Sequence, residues 1–193
     1  MEGQNPQNVM NPDPRFENLI AEGLAASRAD RVQAALDLFA QASELHPASG
    51  IPHFLIGSEH AAAGNVAAAE AALANAVLLS PEFVLARYQL GLLQFSSERA
   101  AVALVTWEPL FGLPAADPLG HFVRGFAALA QDRFEEALGH YRTGLGCHQG
   151  NPALASDIRQ VVAAVERLQR RDAPAGGDDS GHVLLAGYGR GLH

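Results

Sequence analysis

Four glycines, Gly23, Gly57, Gly91 and Gly125, stand 34 residues apart, and four alanines, Ala35, Ala69, Ala103 and Ala137, keep the same interval. A period of this length means that one supersecondary unit is copied along the chain, each copy burying its apolar face against the next. The same phase carries a bulky residue at Phe39, Leu73, Trp107 and Tyr141 and a mostly small one at Ala42, Ala76, Leu110 and Gly144. Pro47 and Pro81 close the first two units. No stretch alternates with period two convincingly enough to suggest a sheet.

This register resembles the tetratricopeptide repeat family, in which each repeat is a pair of antiparallel helices, A and B. The resemblance implies an all-α fold, a right-handed superhelical solenoid of such pairs, with repeats at 16–49, 50–83, 84–117 and 118–149. Residues 1–15 read as a flexible N-terminal segment, 150–171 as a capping helix, 172–181 as a flexible acidic linker and 182–193 as an apolar C-terminal tail. Small residues are needed where helix A approaches helix B, and the bulky residue at repeat position 24 is expected to fill the space between successive pairs.

Local signals place the B helices. Asp30 with Gln33, and Asp132 with Glu135, have the capping-box spacing where the first and fourth B helices should start. In the second repeat, Gly64 suits a positive φ at the end of helix A, and Asn65 suits an N-cap of helix B. The third repeat departs from the pattern. Pro109 falls inside its B helix and Pro114 and Pro118 follow, which predicts an early stop and an irregular connection. Beyond the repeats, Leu154, Ile158, Val161, Val162, Val165 and Leu168 make one helical stripe, with Arg159, Glu166, Arg167, Arg170 and Arg171 as a solvated face.

Composition excludes several function classes. All 13 basic residues are arginine, as high-GC bacterial coding bias would give, and no lysine is present for a phosphate-binding loop. A formal charge of -8 disfavours nucleic acid as a partner. The single cysteine, Cys147, cannot form an intramolecular disulfide. The N-terminus lacks an apolar signal core and no run reaches transmembrane length, so no membrane partner and a cytoplasmic location are expected.

In the resembled family, function lies in the concave surface lined by A helices, at repeat positions 2, 5, 9 and 12. Carried onto this chain, those positions give a peptide-binding groove of Ile20, Leu24, Ile51, Phe54, Leu85, Tyr88, Leu92, Phe95, Leu119, Phe122 and Phe126. The groove is apolar and aromatic, so its partner is a protein or peptide with an apolar face. The competing reading is that Phe54, Tyr88, Phe95, Phe122 and Phe126 are core between A helices. Family members that clamp acidic chaperone tails use Lys and Asn where this chain has Ile20 and Leu24, which argues against that role. The tail offers Val183, Leu184, Leu185 and Tyr188 as a docking segment for its own repeats or for a second copy.

Chemistry-bearing residues do not converge. His53 and His60 lie seven apart on one helix, His121 shares the phase of His53, and Cys147 beside His148 has no orienting acid. The expectation is therefore a non-catalytic interaction module acting as an assembly adaptor, without metal or cofactor. A dedicated chaperone, similar to the tetratricopeptide chaperones of bacterial secretion translocators, is the alternative, and an enzyme with a His/Cys site the weaker one.

Overall fold

The structure, a computed structural model, describes residues 13–147 and 151–172. These form α1 (Pro14–Arg28), α2 (Val32–Leu45), α3 (Gly50–Ala62), α4 (Val66–Leu79), α5 (Val84–Ser96), α6 (Ala100–Trp107), a 3-10 turn (Glu108–Gly112), α7 (Pro118–Leu129), α8 (Phe134–Leu145) and α9 (Pro152–Asp172). Odd and even helices pair, α1 with α2 through α7 with α8, and the pairs stack through α2 on α3 and α4 on α5. Among the described residues the fold is an all-α solenoid of antiparallel helix pairs.

The 34-residue register is a packing device. The recurring alanines Ala35, Ala69, Ala103 and Ala137 are wholly inaccessible. A Cβ on Gly57 would come within 2.7 Å of Leu73 Cγ, and Cβ atoms on Gly23, Gly91 and Gly125 would overlap the rings of Phe39, Trp107 and Tyr141. The bulky residue thus fills the crossing of A and B inside its own repeat and also reaches the next pair, Phe39 sharing a core cluster with Leu55 and Ile56, and Leu73 one with Leu90 and Leu93. Trp107 does both, since its ring also stacks on Phe126 of α7 at 5.4 Å.

All four A-to-B turns use one left-handed residue at the same repeat phase: Asp30 (φ 56°), Gly64 (φ 74°), Glu98 (φ 62°) and Asp132 (φ 55°). The residue after each donates its N–H five residues back, as Arg31 to Ala26 O at 2.9 Å and Arg133 to Ala128 O at 3.0 Å. This reversal overrides the expected capping boxes. Asp30 and Asp132 are turn residues, the helices begin after Arg31 and Arg133, and neither these nor Asn65 makes a side-chain cap.

Helix α6 has 8 residues against 14 in α2 and α4, because Pro109 brings no amide to continue it. In consequence α7 docks on the 3-10 turn and on α5. Arg124 Nη2 fixes the turn by donating to Phe111 O at 2.6 Å. Across α4 and α6, Arg99 grips Glu70 with two bonds of 2.9 and 2.7 Å. That bidentate pair holds the Glu70 carboxyl below its ordinary range and raises the guanidinium.

Helix α9 starts on an Asn151 cap, whose side chain accepts from Ala153 N at 2.9 Å. It runs antiparallel to α8, tied by Arg142 to Glu166 at 2.9 Å and by Gln169 to Glu135 at 2.7 Å. Its Ile158, Val161 and Val165 enter the same core as Trp107 and Tyr141. It thus packs on the last B helix much as α3 packs on α2.

Candidate interaction cleft

The A-helix positions separate into two groups. Tyr88, Leu92, Phe95, Phe122 and Phe126 are buried, at 5 % exposure or less. Phe95 and Phe126 pack at 5.1 Å, and Phe126 meets Tyr141 edge-on at 5.4 Å. These five are core rather than open groove, because the short α6 lets α7 close on α5 and α9 adds a further apolar layer. Ile20 and Leu24 are half-buried against the cluster around Phe39. Phe54 is half-buried with its ring 4.8 Å from that of Phe83. Leu85 and Leu119 are half-buried, and Ile51 is 44 % exposed.

What stays open is narrower than the expected groove. A cleft of about 400 Å³ runs between α3 and α5 on one wall and the first half of α9 on the other. Leu85 and Leu154 give it an apolar floor, and Ser58, Gln89 and Gln160 give it neutral polar edges. Ser58 Oγ donates to Gln89 Oε1 at 3.2 Å, so that edge is already ordered. Among the described residues the one carboxylate in the lining is Asp157, and burial pushes its pKa up. Tyr88 and Leu92 still contribute to the wall, but as rigid backing.

The α9 half of this cleft was not legible as a binding surface, although one signal was present. Asp157 falls three residues after Leu154 and four before Val161, a carboxylate at the edge of an otherwise apolar stripe. The B helices hold a second unanticipated feature: Leu78 and Val105 are each 76 % exposed. At the same repeat phases the first repeat carries Glu44 and Asp37. The docking residues Val183, Leu184, Leu185 and Tyr188, like His148, lie outside the described residues.

Among the described residues no three His, Cys, Asp or Glu side chains converge to hold a metal ion. The His121 and His140 rings lie 6.2 Å apart, with His121 Nε2 on Ala115 O at 2.9 Å and burial lowering the pKa of His140. Cys147 Sγ donates weakly to Thr143 O at 3.5 Å. No helix among the described residues is long and apolar enough to cross a membrane.

No family profile matches the chain, and no curated protein sequence does. Among solved structures it is similar to MamA from Desulfovibrio magneticus RS-1, residues 41 to the end, at 14% identity and a TM-score of 0.58, covering 84% of this chain and 99% of that one. A double mutant titled MamA RS-1 ArsTM aligns at 15% identity and 0.58, over 83% and 99%. A crystal structure of MamA aligns at 21% identity and 0.56, over 72% and 82%. At such identities the likeness is one of fold, a helical repeat array of tetratricopeptide type.

Proposed function

We propose that this chain is a non-catalytic protein-interaction module whose cleft between α5 and α9 takes an extended apolar segment or one face of an amphipathic helix, and that it serves as an assembly adaptor. The observation carrying this reading is the cleft itself: an apolar floor of Leu85 and Leu154 left open against a close-packed core that includes Leu92. Preformed concave surfaces of this size, with a few polar groups at the rim, are where ligands are held. A partner needs to present apolar side chains, because the lining supplies no basic side chain to bind an acidic terminus. This keeps the ligand class expected from the sequence while moving its anchors from the aromatic stripe to the leucines of α5 and α9.

Leu85→Glu and Leu154→Glu test the reading in the full chain. Both residues are half-buried at the cleft and pack against the core, so a charge there is expected to abolish capture of partner proteins at some cost in melting temperature, and capture is compared below the melting transition of each variant. Partner capture unchanged by both substitutions would overturn the assignment. The chaperone alternative separates from the adaptor on the partner's fate: a client aggregates or is degraded when the chain is deleted, whereas adaptor partners stay intact but apart.

A further inference from the structure

The cleft has an unbalanced charge. Asp157 is half-buried in its lining, and no arginine or histidine lines it. Among the described residues no donor or cation is bonded to this carboxylate. A carboxylate drawn out of water beside leucines is unfavourable until a cation joins it. The complementary ligand is therefore an apolar segment that carries one positive charge.

The chain supplies such a segment. Twenty-one residues follow α9, and after the Pro/Gly/Asp stretch they contain Val183, Leu184, Leu185 and Tyr188, then Arg190, the only arginine past the helix. Asp157 lies 15 residues before the end of α9, about 22 Å along a helix at roughly 1.5 Å per residue. The nine residues 173–181 reach at most about 30 Å and have a root-mean-square span of about 17 Å. The segment beyond them can therefore return alongside α9 to the cleft.

We propose that residues 182–193 occupy the cleft of their own chain, with Leu184 and Leu185 against Leu85 and Leu154 and with Arg190 paired to Asp157, so that an apolar partner must displace the tail to bind. The inference rests on the cleft being an interaction site. Tethering makes the tail a strong competitor, since a short connection holds it at an effective concentration on the order of millimolar. The net effect is a module that hides its apolar floor when no partner is present.

The chain has three tyrosines, of which Tyr88 and Tyr141 are in the core and Tyr188 is in the tail. Fluorine NMR of the full chain carrying 3-fluorotyrosine therefore gives one tail signal and two internal controls of folding. The Tyr188 signal is expected away from its position in a free 182–193 peptide, to move to that position in Asp157→Arg and in Arg190→Asp, and to return in the doubly exchanged chain. A free-peptide position in the native chain overturns the proposal. So does a shifted signal indifferent to Asp157→Arg, which means docking elsewhere, or one that changes on dilution, which means docking on a second copy. A hydrophobic dye separates this failure from failure of the functional reading. If the tail is free and dye binding is lost in Leu85→Glu, the cleft remains an apolar site without a tail; if dye binds no form of the chain, both readings fall.

Discussion

Replacing Gly91 with Ala tests the packing logic of the repeat at its tightest point. A methyl there would lie 2.5 Å from Trp107 Cε2 and 2.7 Å from Cδ1, with Nε1 closer still. Relief needs a displacement of about 1 Å to restore ordinary carbon contacts. Trp107 has no room to give it: the ring is fully buried, its Nε1 donates to Tyr88 O at 3.0 Å, and Phe95 and Phe126 flank it at 5.9 and 5.4 Å. Overpacking costs about 1–3 kcal/mol and a lost buried hydrogen bond a further 1–3 or so, against a gain of about 1 from better helix propensity. The net is a loss of about 3 kcal/mol, or roughly 6–12 °C in Tm for a chain of this size. Trp107 is the only tryptophan, so its fluorescence during urea unfolding reads the site directly. The control is Gly139→Ala, where no atom lies within 4 Å of the new methyl, and which is expected to stabilise by about 1 kcal/mol. If the two substitutions shift stability in the same direction, steric closure at the helix crossing is not what the glycine serves.

Three further outcomes are expected. In the turns, Gly64→Ala is expected to cost about 1 kcal/mol by forcing a side chain into left-handed φ, and Glu98→Gly to relieve a similar strain; calorimetry that gave both the same sign would contradict the turn assignment. Glu70→Gln is expected to lose about 0.5–1 kcal/mol at neutral pH, since the pair with Arg99 is only partly shielded from water. Because the folded Glu70 pKa is depressed, its contribution is present above the unfolded value and disappears as pH falls through the folded one. Native and variant stabilities measured in acid should therefore converge below the ordinary carboxylate range. Phe126→Ala is expected to destabilise by about 3–5 kcal/mol as a core truncation, read by thermal unfolding.

The repeat architecture was legible because its signals are covalently spaced: glycine, alanine and bulky positions recur at fixed intervals wherever A crosses B. The early end of α6 was legible too, since a proline without an amide acts locally. The positive φ of Gly64 was legible, but the turns at Asp30 and Asp132 were misread for a physical reason. Asp30 and Gln33 satisfy the spacing of a capping box, but reversing the chain between antiparallel helices demands a positive φ at one residue, and that demand outweighs a single side-chain cap. The openness of the groove was beyond the sequence because it depends on how consecutive A helices sit in space. Phe95 and Phe126 occupy positions assigned to a concave surface, yet the truncated α6 brings α7 against α5 and closes them together. The role of α9 as a cleft wall depends likewise on its inward path, of which Asp157 within an apolar stripe was the sole local sign.

The most direct test of the account is photo-crosslinking in the source cell from a reactive amino acid placed at Gln89 on the cleft edge, compared with one at Val105 on the exposed face of α6. The account predicts that Gln89 yields a discrete crosslink to a partner protein, abolished by Leu154→Glu, while crosslinks from Val105 are unaffected by that substitution. A partner captured from Val105 alone, with Gln89 silent both in the native chain and in Arg190→Asp, would contradict it.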